Sequence, residues 1–280
     1  MTLKVEDQEL NSFCFKDEFL TESGILKYLD NDGLIKIPEN IKSINIDVGL
    51  AGDAPTSALW LSKSDETFVI GVEPLLYHHQ HLFELGRPDN NISLEHPSWP
   101  IVQMKENCVM KKRQKIADIT DRFMLIKCAI NNVDNYEKQV FYVNKVGETG
   151  SSSLLRKHAE SRPHLIDKKI DVDVCSLKHI LDFLPWEKIK FIEHIKTDCE
   201  GLDFEAVRSL RHYIKKVIFI TLELSSYTTD MDRREFLFFM QSWNFQPIKI
   251  WNEGVIFANR DYINEIETYN LQPITAGHCR

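Results

Sequence analysis

Four acidic residues lie at or near the ends of predicted β-strands, where they can meet a ligand: Asp47, Glu73, Asp198 and Glu223. Asp47, Glu73 and Glu223 belong to or follow runs of apolar residues that are typical of buried strands, and Asp198 follows a predicted strand that ends in an acidic turn. The carboxyl ends of the strands of a doubly wound parallel sheet share one edge, and ligands bind there. We therefore expect the four carboxylates to meet in one cleft, which favours a cation or a polyol over a phosphate.

The stretch that positions the first acid runs from Ile44 to Pro55 and is typical of a strand, a tight turn and a helix. Gly49 and Gly52 allow the backbone to bend sharply and let a ligand approach it closely. Asp53 predicts the helix start, because an Asp side chain can cap free N–H groups and the following Pro lacks an N–H that would stay unpaired. This corner is where a doubly wound fold holds its ligand.

The second acid, Glu73, follows the predicted strand Thr67 to Val72 and precedes Pro74. Positions 47 and 73 are 26 residues apart, which suits a strand, a crossover helix and a second strand. An acid at the end of the second strand of such a unit meets ribose hydroxyls. The spacing therefore predicts a ribose-containing ligand.

The turn after the first strand distinguishes between cofactors. A dinucleotide-binding turn has the pattern Gly-x-Gly-x-x-Gly or Ala, and its second Gly admits the pyrophosphate. Ala51 stands where that Gly would be, and Asp53 puts a negative charge at the helix start, so a pyrophosphate would be repelled. S-adenosylmethionine has no phosphate and offers a ribose diol, an ammonium and a sulfonium. If the turn from Gly49 to Gly52 is considered alone, the alternative to cofactor binding is a turn that serves only the structure.

Four segments, taken in chain order, resemble the FkbM-type methyltransferases. They are Ile46-Asp47-Val48-Gly49, Val72-Glu73-Pro74, Gly150-Ser151-Ser152-Ser153-Leu154 and Ile195-Lys196-Thr197-Asp198-Cys199-Glu200-Gly201. The resemblance covers residues from about 44 to 225, and the Lys-x-Asp-x-Glu-Gly segment is its most specific part. The family usually has Gly-Ala-Asn-x-Gly after the first strand, and this chain departs from that pattern with Asp53 in place of a Gly.

The family consists of class I enzymes that use S-adenosylmethionine and mostly methylate hydroxyl groups of sugars and other natural products. The resemblance implies a Rossmann-like fold with a doubly wound, mostly parallel sheet. It implies that Asp47 and Gly49 face the methionine part of the cofactor. It also implies that Glu73 faces the ribose and that Asp198 faces the cleft beside the transferable methyl. The remaining predicted cofactor-binding residues flank these positions: Ala51, Gly52, Asp53 and Pro74.

Asp198 is the first candidate for the general base that a hydroxyl acceptor needs, because a carboxylate buried near other acids becomes a better base. The alternatives are His194, Glu200 and His158. Lys196 shares a strand face with His194 and Asp198, and we expect it to pair with one of the carboxylates rather than to touch the substrate. A charged turn that serves only local structure is the alternative for this segment.

Two clusters outside these motifs receive a structural interpretation. His78 and His81 would be neighbours on a helix, but no acid or Cys joins them at metal-ligand spacing, so no metal is predicted. The basic run from Lys111 to Lys115 lies in a predicted insertion at about 86–122. It would suit a phosphorylated or nucleotide-linked acceptor, or form a solvated face.

The composition indicates a protein with a sizeable core and an acidic surface. Hydrophobic residues make up 43% of the chain, and the net charge of −8 argues against nucleic acid as the partner. Six cysteines without a Cys-x-x-Cys pair favour a reduced, cytoplasmic protein. The first ten residues contain acids where a signal peptide would be apolar, and no apolar run is long enough to predict membrane insertion.

With 280 residues, the chain suits one α/β domain with additions. We expect a helical cap at 1–43, the Rossmann-like domain at 44–270 and a tail at 271–280. Strands at 247–251 and 255–258 predict an antiparallel hairpin at the sheet edge. The predicted function is O-methylation of a hydroxyl on a sugar, glycan or related small metabolite. An RNA or protein methyltransferase and a catalytically silent binding module are the alternatives, and the oligomeric state is left open.

Overall fold

The computed structural model describes residues 16–50, 54–76, 78, 121–145, 149–161, 163–224, 228–251 and 254–264. Seven strands form the main sheet: β1 (Ser43–Val48), β2 (Thr67–Val72), β3 (Phe123–Ile126), β7 (Ile192–Thr197), β8 (Val217–Glu223), β9 (Phe245–Trp251) and β10 (Gly254–Asn259). Three strands form a smaller sheet: β4 (Ala129–Ile130), β5 (Glu137–Asn144) and β6 (Ile166–Cys175).

The strands of the main sheet follow the order β3-β2-β1-β7-β8-β10-β9. The first five are parallel to one another, whereas β10 is antiparallel to both β8 and β9. The predicted fold class, a doubly wound and mostly parallel sheet with a C-terminal antiparallel hairpin, is confirmed. The chain moves from β1 outward to β3 and then returns to the other side of β1, so the strand order reverses between β1 and β7.

Helices accompany both halves of the main sheet. They are α1 (residues 16–22), α2 (Pro55–Lys63), α3 (Arg156–Ser161), α4 (Leu177–Leu181), α5 (Asp203–Arg208) and α6 (Asp230–Ser242). Two of them begin with a capping box, in which a Ser or Thr side chain accepts from a backbone N–H three residues on: Ser176 caps α4 and Thr229 caps α6.

The predicted cap of α2 is wrong. The helix begins at Pro55 as expected, but its N-cap residue is Ala54, with φ at 40° and no side-chain cap bond. Asp53 itself lies outside the described residues. A carboxylate nevertheless caps the helix, because Asp47 of β1 accepts bonds from Ser57 in the first turn of α2. A distant acid thus takes the role that sequence reasoning gave to a neighbouring one.

The residues before β1 pack into the core of the main sheet. Phe19, Ile25 and Ile35 are buried and belong to the same hydrophobic cluster as Ile44 and Ile46 of β1. The predicted domain boundary at residue 43 stays a prediction.

The smaller sheet has a hydrophobic cluster of its own. Phe141 and Val143 of β5 pack with Val174 of β6 and with Leu75, which follows β2. This sheet therefore lies against the segment that follows β2, at the edge of the main sheet where ligands are expected.

Several predicted features lie outside the described residues: almost all of the insertion at 86–122, the basic run at 111–115 and the tail at 271–280. From the insertion, Arg122 is described, and its guanidinium donates to the carbonyl of Ser64 over 2.8 Å. Within the described part of the chain, no helix is long and apolar enough to cross a membrane.

Candidate active site

The carboxyl ends of β1, β2 and β7 are joined by backbone hydrogen bonds beyond the strands themselves. The amide of Asp198 donates to the carbonyl of Val48 over 3.0 Å, and the amide of Gly49 donates to the carbonyl of Val72 over 2.9 Å. The strand order reverses between β1 and β7, and ligands of doubly wound folds bind at such a switch point.

Gly49 is required at this point for two reasons. Its φ is 71°, in the left-handed region that side chains disfavour. A Cβ added to it would lie 1.9 Å from the carbonyl oxygen of Asp198, which is far inside contact distance. The residue allows the turns after β1 and β7 to approach each other.

A cavity opens at the switch point, and its wall combines apolar side chains with a few polar groups, as in sites for small molecules. The main sheet contributes Val48, Gly49, Val72, Glu73 and Asp198 to its wall. The opposite wall comes from the small sheet and the Ser-rich loop: Ala129, Ile130, Phe141, Gly150, Ser152 and Leu154. Among the described residues that line the cavity, carboxylates are the charged groups and none is a Lys or Arg.

Glu73 lies in the wall with its carboxylate almost completely buried. Its Oε1 accepts from the amide of Leu75 over 3.0 Å, and its own amide donates to the carbonyl of Ile126 over 3.0 Å. Pro74, a predicted cofactor-binding residue, lines the cavity beside it. The acid after β2 is therefore a fixed feature of the cavity wall.

His78 is a residue of this wall region that sequence reasoning missed. Its Nδ1 lies 3.1 Å from Oε1 of Glu73, and both side chains are buried. The sequence suggested only a helix face or a weak metal pair with His81, which lies outside the described residues. The sequence did contain a signal for this pair. His78 follows the strand-end acid Glu73 closely enough for one turn of the chain to bring the two side chains together.

Lys196 connects the ends of β1 and β7. Its ammonium donates to the carbonyl of Gly49 over 2.9 Å, and it lies 3.3 Å from Oδ1 of Asp47 and 3.4 Å from Oδ2 of Asp198. Burial disfavours the charged ammonium, but the two carboxylates outweigh burial and raise the pKa of Lys196 above its ordinary value. The side chain is therefore a permanent cation that pairs with carboxylates.

Asp47 is fully buried beneath the cavity. Its Oδ2 accepts from the amide of Ser57 over 3.1 Å and from the Ser57 hydroxyl over 2.6 Å. A negative charge at a helix N-terminus is favourable, because free N–H groups and the helix dipole attract it. Asp47 is not among the described residues that line the cavity, so its carboxylate supports α2 and Lys196 and does not form the wall.

Asp198 differs from Asp47 and Glu73 in exposure, because 42% of its side chain is open to solvent. It lines the cavity together with Glu73, and Cys199 and Leu202 continue the wall after it. An exposed carboxylate held by one lysine can receive a proton from a bound acceptor without leaving its position.

Three carboxylates, one of which lines the cavity, lie close together after β7 and at the end of β8. Oxygen atoms of Asp198, Glu200 and Glu223 lie within 4.8 Å of one another. Burial, followed by the charge of Asp198, raises the pKa of Glu223 well above its ordinary range, so Glu223 holds a proton at neutral pH. Such a group of acids has the size of a cation site, but clusters of this kind are common without an ion, and we assign no metal to it.

Glu200 and the Ser-rich loop meet on the same side of the cavity. The hydroxyl of Ser153 donates to the carbonyl of Glu200 over 3.0 Å, and the hydroxyl of Ser152 accepts from the amide of Asn144 over 3.0 Å. Glu200 has a φ of 50°, in the left-handed region, and it forms a tight turn with Gly201, whose φ is also positive. Two segments that the sequence singled out separately are thus brought together.

His194 is not in the cavity. It is buried against Trp60 of α2, with ring centroids 5.1 Å apart, and its Nε2 lies 2.8 Å from the hydroxyl of Thr221. Burial lowers the pKa of His194 to about 3, so the ring is neutral at physiological pH. The structure packs this candidate against α2, whereas Asp198 lines the cavity.

The other predicted residues cannot be placed in the same way. Ala51, Gly52 and Asp53 lie outside the described residues, and so does the side chain of His158. Phe141 and Leu154, by contrast, line the cavity without having been predicted, because their positions depend on a second sheet that the sequence did not reveal.

A doubly wound sheet with a cavity at its switch point is the arrangement in which Rossmann-like folds bind their ligands. The chain matches the methyltransferase FkbM domain over residues 63–247. It belongs to this family and is a methyltransferase, and the family implies the use of S-adenosylmethionine. The match includes Glu73, Lys196 and Asp198 and begins after β1.

Three solved structures are among those to which the chain is similar, all at low identity. A precorrin-6y C5,15-methyltransferase from Geobacter metallireducens GS-15 has 8% identity and a TM-score of 0.36, with 82% of this chain and 85% of that chain covered. A putative rRNA methylase from Clostridium thermocellum has 11% identity and a TM-score of 0.32, with 78% and 88% covered. A human methyltransferase 10 domain containing protein has 7% identity and a TM-score of 0.31, with 77% and 69% covered. No curated protein matches the chain.

Proposed function

We propose that this methyltransferase transfers the methyl group of S-adenosylmethionine to a hydroxyl of a sugar, a glycan or a related small metabolite. The observation that carries the proposal is the position of two carboxylates, Glu73 and Asp198, on the wall of one cavity at the switch point of the sheet. One is buried and fixed, which suits recognition of a cofactor. The other is exposed, which suits proton transfer from an acceptor.

The chemistry of the cavity wall fits S-adenosylmethionine better than a phosphate-containing cofactor. The described wall offers carboxylates and apolar surface without a Lys or Arg side chain to neutralise a phosphate. Glu73 has the charge and place to accept from ribose hydroxyls. Leu75, Ile130 and Leu154 provide apolar surface for the flat face of a base.

The bound cofactor supplies an electrophilic methyl group on a sulfonium. The residues of this chain position the acceptor and manage its proton. Asp198 would accept a hydrogen bond from the acceptor hydroxyl and take up its proton during methyl transfer, with S-adenosylhomocysteine as the leaving group. Lys196 holds the Asp198 carboxylate in place, and much of the rate enhancement comes from this fixed alignment.

A small or glycan acceptor is favoured over RNA for an electrostatic reason. RNA binding depends on Lys and Arg side chains that neutralise phosphates, whereas this chain has a net charge of −8 and the described cavity wall lacks basic side chains. A polyol can instead donate hydroxyl hydrogens to carboxylates such as Asp198 and Glu200.

The experiment is methyl transfer from labelled S-adenosylmethionine to a panel of sugars, lipids, RNA and protein, with D198N as the matched inactive control. We expect the wild-type protein to transfer the labelled methyl group to an oxygen of a sugar or glycan, and we expect D198N not to transfer it. Label in RNA or protein alone would overturn the proposed acceptor. Failure to bind S-adenosylhomocysteine would indicate the silent binding module.

A further inference from the structure

Glu73 and His78 form a buried pair at the cavity wall. Nδ1 of His78 lies 3.1 Å from Oε1 of Glu73, and the exposed fractions of the two side chains are 4% and 6%. A carboxylate so far removed from water depends on nearby protein groups for its orientation and its hydrogen bonds. His78 is the side chain that approaches it from the segment after β2.

The backbone between the two residues folds back on itself. The amide of Leu75 donates to Oε1 of Glu73 over 3.0 Å, and the amide of His78 donates to the carbonyl of Leu75 over 3.0 Å. Pro74 directly follows Glu73, and its ring fixes its φ, which reduces the conformational freedom of the segment. These two hydrogen bonds bring the His78 backbone back toward the carboxylate of Glu73.

Both contacts fall on the same carboxylate oxygen. Oε1 of Glu73 meets the Leu75 amide and the His78 ring, and this arrangement fixes the plane of the carboxylate. A ring nitrogen 3.1 Å from a carboxylate oxygen is attracted to it only when that nitrogen carries a proton. A group bound to an outer partner in this way is oriented before its ligand arrives.

We propose that His78 is a positioning residue, which orients the Glu73 carboxylate to bind the ribose diol of the cofactor. This inference rests on the proposed use of S-adenosylmethionine. His78 acts through Glu73, so its contribution should depend on the ribose hydroxyls and not on the methionine part of the ligand. Its role is therefore separable from a general effect on folding.

The test is calorimetric titration with two ligands, S-adenosylhomocysteine and its analogue without the two ribose hydroxyls. H78F and H78L remove the ring nitrogens, and H78N keeps a side-chain N–H donor. We expect H78F and H78L to weaken binding of S-adenosylhomocysteine by about tenfold, to leave binding of the analogue unchanged, and H78N to restore most of the affinity. H164F at an exposed His is the control and should bind both ligands as the wild type does.

An equal loss of affinity for both ligands in H78F and H78L would overturn the proposal, because it would indicate a structural role. Wild-type affinity in both variants would overturn it too. If H78F and H78L do not fold, E73Q is titrated with the two ligands, and a loss that does not depend on the ribose hydroxyls overturns the proposal. Absence of binding by the wild-type protein would count against the proposed function itself.

Discussion

The ammonium of Lys196 lies between two carboxylates of different kinds, 3.3 Å from Asp47 and 3.4 Å from Asp198. Asp47 is fully buried and caps α2, whereas Asp198 is partly exposed at the cavity. One side chain thus connects a structural acid of β1 with an acid that lines the cavity. The geometry of this part of the cavity wall is therefore tied to the stability of the sheet.

Replacement of Lys196 by Met should destabilise the fold strongly, because it leaves the buried carboxylate of Asp47 without its cation. Loss of one partner of a buried ion pair costs about 3–5 kcal/mol in the free energy of unfolding. K178M is the matched control, since Lys178 pairs with Asp182 on the surface and such pairs contribute about 1 kcal/mol or less. Urea denaturation measures both, and equal losses would contradict the position given to Lys196.

Gly49 and Gly33 offer a controlled comparison, because both have a positive φ and only one is crowded. A Cβ at Gly49 would meet the Asp198 carbonyl at 1.9 Å, whereas a Cβ at Gly33 meets nothing within 4 Å. G33A should cost about 1–2 kcal/mol from backbone strain alone. G49A should cost at least about 2 kcal/mol more and abolish methyl transfer, because the turn after β7 must move. Thermal unfolding and activity assays check both, and equal stability of the two variants would refute the close approach.

Asp203 should make the protein less stable as the pH rises. Burial, and then the charge of Asp198, raises the pKa of Asp203 to about 6. The unfolded chain loses this proton near its ordinary pKa of about 3.8, so the stabilisation is complete below that value and is lost as the pH rises through about 6. D203N, which keeps an acceptor for the Cys199 amide, should therefore gain about 2–3 kcal/mol relative to the wild type between about pH 4 and pH 7.5.

Denaturation at the two pH values measures this difference. D32N, at an exposed turn, is the control and should follow the wild type at both values. A D203N effect that does not change with pH would show that the Asp203 carboxyl is not buried as described.

The fold could be predicted from the sequence because the patterns that indicate its strands and helices lie within short stretches of the chain. Buried apolar runs such as Val217 to Glu223 predict strands, and the alternation of strands and helices predicts a parallel sheet. The smaller sheet was missed because β4 has two residues and β6 is mostly exposed along its first half. Short or weakly patterned strands gain their stability from packing that no local window contains.

The site was only partly accessible for a related reason. Motif spacing identified Glu73 and Asp198, which lie on the cavity wall, and Asp47, which does not. The direction in which a strand-end side chain points depends on its tertiary partners, here Ser57 and Lys196. The cap of α2 was misassigned for the same reason, since the carboxylate that accepts from the Ser57 amide, Asp47, lies ten residues away in sequence.

Asp198 should be required for transfer and dispensable for cofactor binding. D198N keeps the size of the side chain and an oxygen for Lys196 but removes the base, so turnover should fall by about 100- to 10,000-fold. Affinity for S-adenosylhomocysteine should stay close to that of the wild type. E200Q, at a neighbouring carboxylate, is the comparison and should retain far more activity. Loss of activity in E200Q with full activity in D198N would assign the base to Glu200.

The central claim is that this cavity binds S-adenosylmethionine through Glu73, and titration with S-adenosylhomocysteine tests it most directly. The wild-type protein should bind, E73Q should bind at least about tenfold more weakly because a charged acceptor is lost, and E66Q at an exposed position should bind as the wild type does. Absence of heat for the wild-type protein at millimolar ligand, or equal affinity of E73Q and wild type, would contradict the account.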